Sequence, residues 1–123
     1  MVSESAKKSE QKAKPTDVLV IGGGMAGINA SLSLANGGHR AHMIERTVSI
    51  GGNYVAIYKI FPALECSACV MTPLTSFVGK HPNITIHPLS TVEKVTGKEG
   101  DFTVTIHKKA RYVNEEKCTG CQL

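Results

Sequence analysis

The residues in this chain able to do chemistry are four cysteines, one acid and a set of glycines, at regular spacings. Cys66-Ser67-Ala68-Cys69 and Cys118-Thr119-Gly120-Cys121 are two Cys-x-x-Cys pairs, a spacing suited to metal ligation or dithiol redox chemistry rather than structural disulfides. Gly22, Gly24 and Gly27 form a G-x-G-x-x-G run, and Glu45 follows Gly27 by 18 residues. Such a run holds a diphosphate on backbone N–H groups, and a carboxylate at that distance accepts hydrogen bonds from a ribose diol. Gly22 permits the tight turn, Gly24 lets the backbone approach the pyrophosphate, and Gly27 lets a helix pack closely on a strand.

That chemistry needs elements to hold the run in place, and the sequence supplies them in order. Val18-Leu19-Val20-Ile21 reads as an apolar strand, followed by the turn from Gly22 through Met25 and Ala26 to Gly27. A small-residue helix from Met25 to about Asn36 sets Ile28, Leu32 and Ala35 on one face, and Gly37-Gly38 stops it. Ala41-His42-Met43-Ile44 forms a second strand that delivers Glu45. The order is that of the βαβ unit of a dinucleotide-binding fold, whose helix dipole favours the diphosphate.

The loop after Glu45 discriminates between dinucleotides. It reads Arg46-Thr47-Val48-Ser49-Ile50-Gly51-Gly52. Nicotinamide-binding Rossmann domains have no fixed glycine pair at that distance beyond the acid, whereas two-dinucleotide-binding flavoproteins do. Such a pair lets the loop fold back near the diphosphate and leaves space for the rest of a flavin, so FAD is favoured over NAD. The flavoprotein pattern often continues with Arg, and Asn53 stands there instead, which removes one cationic contact. The candidate cofactor-binding residues are Gly22, Gly24, Met25, Ala26, Gly27, Glu45, Arg46, Gly51 and Gly52.

Composition narrows the class. The formal net charge of +4 is gathered largely in the N-terminal tail and at Lys108 to Arg111. With few aromatics and no basic helix face, it makes no nucleic-acid-binding stripe. No apolar run approaches the roughly 20 residues of a membrane helix. Residues 1–15 mix Lys, Ser, Glu and Gln without an apolar core, and read as a disordered polar tail rather than a secretory signal. A cytoplasmic location follows from these features. At 123 residues the chain has room for one small domain, while a complete two-nucleotide enzyme needs about two to three times as much.

Beyond the glycine pair, Tyr54 to Phe61 is apolar and ends at Pro62. Ser76 to Gly79 reads as helical, and His81-Pro82-Asn83 as a turn. From Ile84 the period alternates: Ile84-Thr85-Ile86 is a short strand, and Thr91–Thr96 and Phe102–His107 form a β-hairpin across residues 97–101. The expected fold is α/β, a Rossmann-like FAD-binding βαβ core with an added hairpin. Residues 16–110 make the FAD-binding domain, incomplete, with sheet edges left open.

Cys118 and Cys121 match the first two members of a ferredoxin run, C-x₂-C-x₂-C-x₃-C, whose thiolates hold a [4Fe–4S] cluster. The third would fall one position past Leu123, so residues 111–123 read as the start of a ferredoxin-type module cut short. A zinc-binding pair is the alternative.

Taken together, residues 17–121 resemble HdrA, the flavin and iron–sulfur component of heterodisulfide reductase. The resemblance rests on Val18 to Gly27, on Ile44-Glu45-Arg46 with Ser49-Ile50-Gly51-Gly52, on Phe61-Pro62 before Cys66-Ser67-Ala68-Cys69, and on Lys117-Cys118-Thr119-Gly120-Cys121 after the hairpin. It implies an FAD-dependent oxidoreductase with [4Fe–4S] clusters, exchanging electrons with sister subunits and with carriers such as ferredoxin or a hydrogenase. In some members of that family the flavin divides an electron pair between two acceptors. The resemblance permits Cys66 and Cys69 to be a redox or cluster-ligand pair near the flavin; a thioredoxin-reductase-type disulfide pair and two small buried residues remain open as alternatives. No catalytic acid or base is identifiable. Two other functions stay open: an NAD(P)-dependent dehydrogenase without its catalytic domain, and a non-enzymatic zinc module.

Overall fold

The structure is a computed structural model, and it describes residues 17–114 and 117–119. The polar stretch 1–15 and Cys121 lie outside the described residues. Strand β1 (Asp17–Ile21), helix α1 (Met25–Asn36) and strand β2 (Arg40–Ile44) follow one another within a residue of the expected limits. β1 and β2 are parallel, with Val18 beside Ala41 and Val20 beside Met43. The helix ends as the glycine pair dictates. Gly38 takes φ +87°, Gly38 N–H donates to the Ala35 carbonyl and His39 N–H to that of Leu34, which together close the last turn.

After β2 come a 3₁₀ turn (Gly52–Ala56), the two-residue strands β3 (Lys59–Ile60) and β4 (Glu65–Cys66), and helix α2 (Ser67–Lys80). Sequence reading placed a helix only over Ser76 to Gly79. The true helix starts nine residues earlier and runs through Pro73. Proline removes one backbone hydrogen bond, but Pro73 stands on the exposed side, and the inner side carries the buried Ser67, Met71 and Val78 with half-buried Leu74. Those positions recur at helical spacing. Burial of that stripe outweighs the missing bond.

Strand β5 (Ile84–His87) lies parallel to β2, giving the order β1-β2-β5. Both helices cover one face of this sheet, and Ile28, Ala35, Ala41, Met43, Met71, Val78 and Ile84 form the core. Each fully buried large side chain there contributes about 1.5–3 kcal/mol. Among the described residues β1 pairs with β2 alone, so its outer edge is open, as expected. Strands β6 (Ser90–Lys98) and β7 (Asp101–Lys108) make the hairpin, with a tighter loop than the sequence suggested: Lys98 pairs with Asp101 across Glu99-Gly100. A register shift between Val92 and Lys94 leaves Glu93 bulged.

Candidate functional site

The site forms where the end of β1 meets the start of α1. Gly22 N–H donates to the Ile44 carbonyl at 2.8 Å, tying the glycine turn to the end of β2. Gly24 stands just before α1; no side chain caps that end, and the first helical turn holds no acid. The leading N–H groups and the positive end of the helix dipole are thus left to an anion. A Cβ built on Gly24 would find no atom within 4 Å, whereas one on Gly27 would lie 1.8 Å from the Gly22 carbonyl oxygen. Gly27 is required for packing. Gly24 is required by nothing in the protein, and the space before it is open.

The loop after β2 closes over the turn from the other side. Gly51 N–H donates to the Gly23 carbonyl at 2.7 Å, and a Cβ on Gly52 would come within 3.2 Å of Gly24 Cα. Gly22, Gly24, Met25, Ala26, Gly27, Glu45, Gly51 and Gly52 thereby gather at one end of the sheet, while the Arg46 that follows Glu45 is exposed. An adjoining recess of about 270 Å³ lies between this loop and α2, lined by Ser49, Ile50, Val55, Ala68 and Met71 among others.

Glu45 is 6% exposed and its carboxylate is turned inward. Oε2 accepts from Gly23 N–H at 2.7 Å, and Oε1 accepts from both the N–H and the hydroxyl of Thr47 at 2.8 Å. Burial pushes the carboxyl up, but the two Thr47 bonds, helped by the N–H groups of Gly23 and Arg46, outweigh it and hold Glu45 below the usual value. Neither Gly23 nor Thr47 is among the candidate site residues that the sequence offers. Thr47 had a signal, a hydroxyl two residues past a strand-ending acid, where local side-chain bonds are common. Gly23 had none, since its part is played by its backbone N–H.

The first cysteine pair sits at the start of α2. Cys66 is the residue preceding the helix, and its Sγ accepts the Cys69 N–H at 3.4 Å. Both thiols are free and exposed, not buried among apolar neighbours. The Cys69 thiol, then the Cys69 and Ala68 N–H groups, hold the Cys66 thiol below its ordinary value; the hydrogen bond to Cys66 and that residue's charge push Cys69 up. Ala68, between them, lines the recess beside the glycine-pair loop. Ser67 ties the turn down by donating its hydroxyl to the Ile57 carbonyl. Cys118 is free and exposed, and among the described residues no three His, Cys, Asp or Glu side chains are grouped to hold a metal ion.

Two histidines pair behind the site. His42 Nδ1 and His87 Nε2 are 3.3 Å apart, with stacked rings. His42 also approaches Asp17, which takes a two-pronged bond from Arg40 at 2.8 and 2.9 Å. Burial first, then the charges of His42 and Lys108, lower the His87 imidazole. The backbone of His87 serves the site directly, since its carbonyl accepts Glu45 N–H at 3.0 Å.

Residues 17–62 match the family of FAD dependent oxidoreductases. The chain is 50% identical, over 85% of its length, to a heterodisulfide reductase HdrA-like protein of Archaeoglobus profundus. It is 48% identical, over 84% of its length, to the HdrA component of the H₂:CoB–CoM heterodisulfide, ferredoxin reductase of Methanothermobacter marburgensis. It spans 15% and 16% of the lengths of those two proteins. Among solved structures, thioredoxin reductase of T. acidophilum shares the fold, with a TM-score of 0.61 at 18% identity over 74% of this chain and 31% of that one.

Proposed function

We propose that this chain, a homologue of part of the HdrA component of heterodisulfide reductase, holds FAD in an electron-transfer flavoprotein of that kind. The observation that carries the reading is the open space before Gly24, at an uncapped helix start held against the Gly51-Gly52 loop. A diphosphate fits such a cradle, because no side chain fills it and the N–H donors lack partners from the chain's own side chains.

In this reading the N–H groups from Gly24 through Met25, Ala26 and Gly27 face the diphosphate. Glu45 meets the ribose, Arg46 lies at the rim, and Gly51 and Gly52 leave room for the remainder of the molecule. Bound FAD supplies a two-electron carrier that can also pass electrons singly. The chain's share is to bind and orient it, and to fix its surroundings through a loop-to-turn hydrogen bond that needs no side chain. Cys118 and Cys121 supply thiolates to a [4Fe–4S] cluster, supported by their ferredoxin-like spacing and by relatives named as iron–sulfur subunits. Cys66 and Cys69, beside the recess, serve as a redox or cluster-ligand pair.

Relatives are named for ferredoxin, H₂ and F420H₂, which supports sister subunits and carriers such as ferredoxin or a hydrogenase as partners here. Among the described residues no helix is long and apolar enough to cross a membrane, and we place the protein in the cytoplasm.

The test is a titration of the full chain with FAD, NAD⁺ and zinc, read by flavin fluorescence, calorimetry and metal analysis. FAD uptake at one equivalent is expected. Binding of NAD⁺ in preference to FAD would make this a nicotinamide domain, and stoichiometric zinc without flavin would make it a metal module.

A further inference from the structure

Glu45 is the group expected to meet a ribose, yet its carboxylate is already engaged by the chain. An ionised carboxylate offers about four acceptor directions. Gly23 N–H, Thr47 N–H and the Thr47 hydroxyl take three of them, two on Oε1 and one on Oε2, while Arg46 N–H, the weakest of the groups that lower Glu45, makes no formed hydrogen bond to it. The remaining direction belongs to Oε2, the oxygen beside the glycine turn. Rotation of the carboxylate would break at least one of these bonds in a site that is 6% exposed, where water cannot readily replace it.

Thr47 holds two things at once. Its hydroxyl lies 2.8 Å from Glu45 Oε1 and 2.8 Å from the Ser49 carbonyl, so its single hydrogen is shared between the carboxylate and the loop that leads to Gly51. Gly51 in turn donates to Gly23, whose own N–H binds the other carboxylate oxygen. The bonds close a ring, from Glu45 through Thr47 and Ser49 to Gly51, and back through Gly23. The acid, the loop and the phosphate turn therefore share one arrangement.

We propose that Thr47 is a positioning residue for the dinucleotide: by fixing the Glu45 carboxylate it leaves one acceptor, on Oε2, to read a single ribose hydroxyl. The assignment rests on FAD being the ligand. Thr47 touches no part of the cofactor; it acts through Glu45.

The experiment compares the full chain with Thr47→Val, which keeps the shape and loses the hydroxyl, and with Thr47→Ser, which keeps the hydroxyl. FAD affinity is read by flavin fluorescence, and the Glu45 carboxyl is followed by carbon NMR through an acid titration without FAD. Thr47→Val should weaken FAD binding about tenfold, equivalent to about 1.4 kcal/mol, and move the Glu45 midpoint up towards its ordinary value. Thr47→Ser should leave both close to the parent. An unchanged affinity in Thr47→Val, or a loss in Thr47→Ser as large as in Thr47→Val, overturns the role of Thr47. A parent chain that takes up no FAD overturns the cofactor reading instead, and the two failures separate in the parent isotherm.

Discussion

Two glycines of one turn should respond oppositely to the same added methyl group. In Gly27→Ala the new Cβ would stand 1.8 Å from the Gly22 carbonyl oxygen and 3.0 Å from its carbon. Ordinary contact requires the helix to retreat by about 1.5 Å. The turn cannot yield, because Gly22 N–H is held by the Ile44 carbonyl at 2.8 Å and Gly23 by Gly51 and Glu45. The helix cannot yield cheaply, because Ile28, the next residue, is fully buried. Overpacking against side chains costs about 1–3 kcal/mol, and a backbone neighbour puts this case at the upper end. For a domain of this size about 3 kcal/mol lowers Tm by about 12–24 °C. Gly24→Ala meets no atom within 4 Å at φ −77°, so its Tm should stay within about 3 °C of the parent while FAD retention falls. Thermal unfolding by circular dichroism and flavin fluorescence after gel filtration read the two effects separately. A Gly27→Ala protein as stable as the parent would refute the packing argument. A Gly24→Ala or Gly24→Val protein that keeps its flavin would refute the placement of the diphosphate.

Ser31 is fully buried and its hydroxyl has no hydrogen-bond partner, so Ser31→Ala should stabilise the fold by about 1 kcal/mol in denaturant titration; a loss of stability would show the hydroxyl to be satisfied. Burial makes the His87 imidazole harder to protonate in the folded state, so as pH falls below 6.5 the unfolded chain takes up its proton more readily than the folded chain. Stability should therefore be full above that pH and decline below it, and His87→Gln should flatten the decline below pH 6.5; an unchanged profile would show that burial does not disfavour the charged imidazole. Iodoacetamide at neutral pH should alkylate Cys66 before Cys69, as read by peptide mass spectrometry, because the helix-start thiol is the more readily ionised. Equal labelling would contradict the hydrogen-bonded geometry of the pair.

What could be read without coordinates follows from the range of the interactions. The first βαβ unit was legible almost to the residue, because periodicity, the Gly37-Gly38 stop and the strand-ending acid all operate within a few positions. Helix α2 was not, since a proline stands inside it at Pro73 and its inner stripe of Ser67, Met71, Leu74 and Val78 holds only three apolar residues. The fold-back of Gly51 onto Gly23 was inferable from the glycine pair alone. The inward turn of Glu45 and the His42–His87 pair were not, because both depend on which strand lies beside β2 and in what register. Only pairing with β5 brings His87 to the back of the cradle.

The parallel sheet has a kinetic consequence. Its strands join residues far apart in sequence, Asp17 with Arg40 and Ala41 with Ile84, whereas the hairpin closes around Glu99-Gly100. Local pairing of that kind takes about 1–10 μs, while distant strands must first overcome the entropy of closing long loops. The topology therefore predicts that the β6–β7 arm forms early and the glycine cradle late, an order that pulsed hydrogen exchange during refolding would reveal as early protection in β6 and β7. Protection appearing first in β1 and β2 would reverse it. A chain emerging from synthesis would then present its cofactor site only after β5 has been made, so loading with flavin is tied to completion of the sheet rather than to the appearance of the glycine run.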